Sequence, residues 1–247
     1  MKNSGKTALI TGGARRLGKY ISIGLARQGF DIAFTFNSTP KTVLKKTLDE
    51  FKHIDVTVKA IKCDVTSLSQ IRKTIDLVER NFGGLDVLVN NAAIFEKIDF
   101  FEITESDFEK FINTNLKNVL FFSKYAAELM LKKNCNPGRI INISSMGAFE
   151  NWTGFIPYSV SKAGVVKLTE LMAKKLAPSI IVNSIAPGTI VIEDDNNENV
   201  NMADVKKYPM KRFGNTKDIV SLVKYLSTNN EFITGQTFKV DGGKSLS

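Results

Sequence analysis

Short apolar runs alternate with amphipathic stretches along this chain, and that alternation restricts the fold more than any other feature. The apolar runs fall at 6–10 (KTALI), 31–36 (DIAFTF), 55–61 (DVTVKAI), 85–90 (LDVLVN), 139–144 (RIINIS), 180–186 (IIVNSIA) and 237–240 (TFKV). Between them, segments 17–28, 41–52, 67–82, 105–134, 158–177 and 216–227 repeat apolar residues at helical spacing. Several of the runs are apolar on both faces. A strand of that kind is buried from both sides, as in a parallel sheet covered by helices on each face. The expected fold is therefore a single α/β domain over 1–247, with helices on both faces of a parallel sheet. No internal repeat and no linker rich in Pro, Gly or Ser divides it.

Bulk composition narrows the function. No run reaches the ~18 apolar residues of a membrane-spanning helix, and MKNSGKTALITGG carries no signal-peptide pattern, so a cytoplasmic protein is expected. Cys63 and Cys135 match no metal spacing and read as reduced thiols, and no metal is expected. The formal charge is +9, from 34 basic and 25 acidic residues, but the lysines are dispersed and no recognition motif accompanies them. Nucleic acid is not an expected partner, whereas an anionic small molecule fits such a surface. The polar, acidic, Asn-rich stretch 192–207 follows a strand ending in Ala186-Pro187-Gly188, and it reads as a lid over a pocket.

The first strand runs directly into TGGARRLG (11–18) and then a helix. Gly12 and Gly18 let the backbone come close to a pyrophosphate, and the helix N-terminus offers free N–H groups and positive potential. The second strand ends Phe36-Asn37-Ser38-Thr39 without the acid that would hold a ribose 2′-hydroxyl. Arg15 and Arg16 sit in the glycine turn, where cations oppose the helix dipole but suit a 2′-phosphate. This pattern points to NADP(H). Asp64, beyond the third strand, can accept from an adenine amino group or cap the strand end.

Tyr158 and Lys162 are four apart in a helical segment and share one face. Ser145 lies 13 residues before Tyr158, just past a strand, and Asn115 lies in a helical stretch after Asn90-Asn91-Ala92. With TGGARRLG, Asp64-Val65, NNAA (90–93), ISS (143–145), YSVSK (158–162), APG (186–188) and VDGG (240–243), these residues make the chain resemble the short-chain dehydrogenase/reductase family over nearly its whole length. The resemblance implies a Rossmann-type, doubly wound, seven-stranded parallel sheet, a nicotinamide cofactor and a homotetramer. It implies Tyr158 as general acid/base, Lys162 as its activator, Ser145 as the hydroxyl that polarises a carbonyl, and Asn115 as the proton-relay asparagine. It also implies cofactor contacts from Gly12, Arg15, Arg16, Leu17, Gly18, Asn37, Ser38, Asp64, Val65, Asn91, Ala92, Tyr158, Lys162, Pro187, Gly188 and Ile190. One position departs from the family pattern: Arg16 stands where TGxxxGxG has its middle glycine.

Two substrate classes compete. The overall pattern, with Ser145 and the segments 210–214 and 232–243, resembles 3-oxoacyl thioester reductases. Against it, Asn136 and the Pro178-Ser179 region lack the basic residues that would dock an acidic carrier. Arg16, Phe95, the short link 176–188 and the ending DGGKSL (241–246) instead resemble pteridine reductases, where the phenylalanine stacks on the pterin. Against that, Ser145 stands in place of an aspartate and Ala93 in place of a serine. The expected substrate is thus a small carbonyl or a pterin, touching Phe95, Ser145 and Tyr158, with the carbonyl ranked first.

Overall fold

The computed structural model describes residues 5–133, 137–193, 195 and 200–246. In chain order the strands and α-helices are β1 (Thr7–Ile10), α1 (Arg16–Ala26), β2 (Asp31–Phe36), α2 (Lys41–Asp49), β3 (Val58–Lys62), α3 (Leu68–Phe82), β4 (Val87–Asn90), α4 (Glu105–Ile112), α5 (Asn118–Lys132), β5 (Gly138–Ile143), α6 (Ile156–Leu176), β6 (Ile180–Pro187), β7 (Ile190–Val191), β8 (Gly214–Asn215), α7 (Thr216–Thr228) and β9 (Thr237–Val240). Seven strands form one sheet in the order β3-β2-β1-β4-β5-β6-β9, and every pairing is parallel. This is the parallel α/β sheet that the alternation predicts and the doubly wound order that the resemblance implies.

Strand alternation divides the core into two layers. Ala8, Ile10, Ile32, Phe34, Val87 and Val89 face α1 and α7, packing on Ile21, Leu25, Ile219 and Val223. Leu9, Ala33, Leu88, Ile140 and Val182 face α3, α5 and α6, packing on Ile71, Val78, Phe122, Ala126 and Met172. The strand order reverses between β1 and β4, and the crevice beyond their carboxyl ends is where open α/β sheets bind ligands.

Several expected boundaries shift for local reasons. β3 begins at Val58 rather than 55, because residues 51–56 close in tight turns and Thr57 N–H is taken by the Asp31 carboxylate at 2.6 Å. The helix expected over 105–134 is two helices, α4 and α5, joined by a π-turn at Asn113–Lys117. A two-stranded ribbon of β7 and β8 was not expected. Within the acidic stretch 192–207, Met202–Lys207 form a 3₁₀ helix, while Asp194 and residues 196–199 lie outside the described residues, as do Cys135 and Asn136. No helix among the described residues is long and apolar enough to cross a membrane.

Candidate active site

The glycine turn follows β1 and is fixed from both neighbouring strands. Gly12 N–H donates to Thr35 Oγ1 (3.0 Å) and Gly13 N–H to the Thr35 carbonyl (3.0 Å), both on β2. From the β4 side, Asn91 and Ala92 N–H groups both donate to Thr11 Oγ1 at 2.9 Å. The Asn91 amide donates to the Thr11 carbonyl at 2.9 Å. Gly12 has φ +65°. A Cβ on Gly18 would fall 2.2 Å from the Gly12 carbonyl oxygen and 2.6 Å from Asn91 Nδ2, so only glycine fits there. At the start of α1, Arg15 is extended, no side chain caps the helix and its first turn holds no acid. The free N–H groups of that turn are thus open to an anion.

Arg16 takes φ +51°. The glycine position of the family pattern is therefore occupied by a residue in left-handed backbone, which strains any residue with a Cβ. Arg16 is exposed, and its Nε lies 3.0 Å from Asp195 Oδ2 in the acidic stretch. Arg15 and Ser38 are exposed beside the β2 end, and Leu17 and Asn91 are half-buried. Asp64 is half-buried, and its Oδ1 accepts from Thr66 N–H (2.9 Å) and Oγ1 (2.8 Å), which makes it a strand-end cap here. Pro187 ends β6; Gly188 N–H donates to the Val240 carbonyl at 2.9 Å, and Ile190 opens β7.

Across the β1/β4 crevice, β5 and α6 bring the polar quartet together. Ser145 follows β5, is buried, and accepts from Gly147 N–H at 3.1 Å to start a 3₁₀ turn at Met146–Ala148. Tyr158 and Lys162 stand one turn apart at the buried start of α6. Lys162 Nζ donates to the Ile143 carbonyl at 2.8 Å and lies 5.9 Å from the Tyr158 ring centroid. Burial pushes the Tyr158 phenol up to about 12, although its hydrogen bond with the Ser145 hydroxyl works the other way. Burial also draws Lys162 down to about 8. Both shifts share one cause: desolvation penalises the charged form of each group.

Asn115 lies in the π-turn, an irregularity frequent at functional sites. It is fully buried; its Oδ1 accepts from Ile94 N–H (2.9 Å), and its Nδ2 donates to the Ile94 carbonyl (3.1 Å) and Ser161 Oγ (3.1 Å). It ties the loop after β4 to α6 through Ser161, the neighbour of Lys162. Phe95, on the same loop, is 47% exposed. It stacks on Phe155 at 4.5 Å and meets Tyr158 edge-on at 4.7 Å, and Trp152 lies parallel to Tyr158 at 6.4 Å. Sequence reasoning missed four of these groups. Thr11 and Thr35 are ordinary strand-end residues until the fold shows what they bond. Trp152 and Phe155 lie between motifs, in a segment without periodicity.

The comparisons with known proteins agree with this geometry. A family model described as enoyl-(acyl carrier protein) reductase matches residues 12–245. The 3-oxoacyl-[acyl-carrier-protein] reductase FabG of Staphylococcus epidermidis is 35% identical over 243 residues, spanning 96% of this chain and 98% of that protein. The acetoin dehydrogenase structure from Enterobacter cloacae superposes with a TM-score of 0.87 at 31% identity, covering 98% of this chain and 96% of that one. A blue fluorescent protein from a metagenomic library, solved in complex with NADPH, superposes at 0.88 and 30% identity over 99% of this chain and 100% of its own. A match of this extent across sequence and structure makes the chain an oxidoreductase of the short-chain dehydrogenase/reductase family.

Proposed function

We propose that this chain, as one domain over 1–247, is an NADP(H)-dependent reductase of a small carbonyl compound, with 3-oxoacyl thioesters as its first substrate class. The observation that carries the reading is the buried cluster of Ser145, Tyr158 and Lys162, with Lys162 Nζ 5.9 Å from the Tyr158 ring centroid. The cradle fits a dinucleotide: the Gly12–Gly18 contact leaves backbone with no Cβ in the way, and α1 begins uncapped. Gly12, Arg15, Arg16, Leu17 and Gly18 would hold the phosphates, with Asn37 and Ser38 at the ribose and Asp64 and Val65 at the adenine. Asn91, Ala92, Pro187, Gly188 and Ile190 would flank the nicotinamide. Arg15, with no acid at 37–39, supports NADP(H) over NAD(H). The bound cofactor would supply the hydride.

The remaining chemistry belongs to the protein. Ser145 and Tyr158 donate to the substrate carbonyl oxygen, stabilising charge as it grows there. Tyr158 passes its O–H proton to that oxygen as the carbon gains hydride, and the Lys162 ammonium stabilises the phenolate left behind. Asn115 holds the Ile94–Phe95 segment against α6, which makes it a positioning residue for the substrate wall and links it to the relay role that the family implies.

The second reading, a pterin substrate, is favoured by one observation: the half-exposed Phe95 ring beside Tyr158. Ser145 favours the ketone, since a neutral hydroxyl donates to a carbonyl oxygen, whereas a C=N bond needs a proton on nitrogen. NADPH oxidation by wild type and Phe95→Ala, with acetoacetyl thioesters and with dihydropteridines, separates the two. The thioester should be turned over faster, with Phe95→Ala changing it little. Faster pterin turnover, lost with the ring and its ~0.5–1.5 kcal/mol of stacking, would reverse the ranking.

A homotetramer is part of the proposal. Exposed Phe108, Leu120 and Leu131 on α4 and α5, and Val160 and Leu171 on α6, give those helices apolar outer faces that suit a second copy. A monomer in light scattering at micromolar concentration would remove this part. A cytoplasmic location is consistent with it.

A further inference from the structure

The proposed reaction makes no use of Glu150 and Lys244, yet both bear on the wall of its site. That wall is aromatic. Trp152 lies parallel to the Tyr158 ring at 6.4 Å, and Phe95 and Phe155 meet the indole edge-on at 6.4 and 6.1 Å. A ketone that takes its proton from the Tyr158 hydroxyl has to come within hydrogen-bond reach of it. Its substituents then lie beside the ring, and a group that extends towards Trp152 meets the indole.

The indole is held at both edges. At its six-membered ring the backbone of Gly147 comes so close that a Cβ there would fall 2.9 Å from Trp152 Cε3 and 3.0 Å from Cζ3. At its five-membered ring Nε1 donates to Glu150 Oε2 at 2.6 Å. The same oxygen accepts from Lys244 Nζ at 3.1 Å, and that ammonium lies 5.9 Å from the indole centroid. The two charged side chains are mostly covered, 21% exposed for Glu150 and 29% for Lys244, so salt screens their pairing less than it screens a surface pair. Each is fixed from behind. Glu150 N–H donates to the Met146 carbonyl at 2.9 Å, in the turn that Ser145 starts. Lys244 opens a 3₁₀ turn after β9, and that turn hangs on Asp241, whose carboxylate accepts from Gly243 N–H (3.0 Å) and Ser245 N–H (2.8 Å). Asp241 lies against Gly188, where a Cβ would fall 3.0 Å from Asp241 Cα. A line of contacts thus runs from the segment beside Gly188 through Lys244 and Glu150 to the indole.

We propose that Glu150 and Lys244 are positioning residues for substrate choice: they fix Trp152 as a rigid wall beside Tyr158, and that wall restricts the site to ketones with a small group on its side. The proposal rests on the carbonyl-reductase reading above and adds to it a limit on substrate size. The pair acts through the indole and touches neither the reacting carbonyl nor the hydride donor, so its effect falls on fit rather than on the chemical step.

The test compares two diketones of different bulk, 2,3-butanedione and 1-phenyl-1,2-propanedione, each assayed with NADPH. Wild type should favour the smaller in kcat/KM. Glu150→Ala frees the indole, so KM should rise for the smaller diketone and fall for the larger, narrowing the preference by about tenfold, the scale of one hydrogen bond to a charged group. Damage to the fold alone would raise both KM values together. Lys244→Ala should act in the same direction and Lys244→Arg should keep the wild-type preference. Combining Glu150→Ala with Lys244→Ala should add little to Glu150→Ala, because both act through one line of contacts. Trp152 is the only tryptophan of the chain, so its emission reports the wall without any turnover. Glu150→Ala and Lys244→Ala should move the emission to the red and raise its quenching by acrylamide, and Lys244→Arg should do neither. An unmoved emission, or a moved emission with an unchanged size preference, overturns the role of the pair and leaves the reductase reading intact. Failure of wild type to reduce either diketone or an acetoacetyl thioester overturns that reading, and the size limit with it.

Discussion

The two halves of the candidate site are built by opposite means. The half at β1 and α1 is made of backbone: a turn whose N–H groups are tied to Thr35 and whose carbonyls are tied to Asn91, closed by a glycine with no room for a Cβ. The half at β5 and α6 is made of side chains held by burial, with Tyr158, Lys162, Ser145 and Asn115 all shielded from water. The first half tolerates almost no change of shape and has little titrating chemistry. The second tolerates no change of functional group, and its chemistry is set by desolvation. Positioning a dinucleotide needs geometry; moving a proton needs a controlled environment.

The sharpest break of that contrast is Tyr158→Phe. Ring packing against Phe95 and Trp152 persists, while the only positioned phenol is lost. Turnover should fall at least ~10²-fold with NADPH binding, followed by fluorescence titration, unchanged. A variant that keeps half its activity would remove Tyr158 from the chemistry. The environment itself is read by pH. Lys162 is charged below about 8 and loses its proton above it, whereas the phenol stays protonated to about 12. Carbonyl reduction should therefore decline as pH rises through about 8. Stability should move the opposite way in that window. Between about 8 and 10.5 the unfolded chain holds a proton on this lysine that the folded chain has released, so stability rises with pH. A flat stability curve over that window would contradict the burial account of Lys162.

The backbone half is broken by Gly18→Ala. With the added Cβ 2.2 Å from a carbonyl oxygen, the turn must shift, and overpacking of this kind costs about 1–3 kcal/mol. Cofactor affinity should weaken by at least tenfold while the pH behaviour of the other half is retained. Isothermal titration and urea unfolding measure both, and undiminished affinity would show that the cradle is not where the phosphates bind. A smaller effect is expected at Arg15→Ala. It should reduce the preference for NADPH over NADH by about one order of magnitude, from one charge-assisted contact of ~1.5–3 kcal/mol, and equal kcat/KM for both cofactors in wild type would refute the assignment.

The smallest effect tests a residue that belongs to neither style. Arg16 carries a side chain at φ +51°, a conformation that costs a residue with a Cβ roughly 1 kcal/mol or more. Its exposed pair with Asp195 offsets at most about 1 kcal/mol. Arg16→Ala keeps the strain and loses the pair, while Arg16→Gly loses both. The glycine variant should be the more stable of the two by about 1 kcal/mol in chemical denaturation, and equal stability would mean that the turn relaxes around the alanine.

These differences also explain what the sequence disclosed. The sheet was legible because strands buried on both faces, such as β1, β4 and β6, are mostly apolar, and helices packed on one face repeat apolar residues every three to four. The glycine turn was legible because steric exclusion at Gly12 and Gly18 leaves one residue type. Tyr158 and Lys162 were legible because four residues make one helical turn. The start of β3 was not, because the carboxylate of Asp31 claims Thr57 from another strand. The aromatic wall of Trp152 and Phe155 was not, because only tertiary packing brings it to Tyr158. The left-handed backbone of Arg16 was hidden for a simpler reason: arginine gives no sign of the glycine geometry it adopts.

The π-turn at Asn113–Lys117 has a consequence of phase. One residue of an α-helix corresponds to a rotation of about 100°; a π-turn takes up an extra residue without that rotation, so beyond it a different set of sequence positions faces a given side. α4 packs against α6, while α5 packs against α3, and the π-turn lies between them. A pattern of apolar positions counted from Phe108 therefore does not carry through to Phe122, Ala126 and Met130, although the chain stays helical between them. No substitution can undo such an offset, because it is a matter of residue number rather than residue type. Deleting a single residue from 113–117 would remove the wide turn, and with it the place of Asn115, while the inner face of α5 stays towards the sheet.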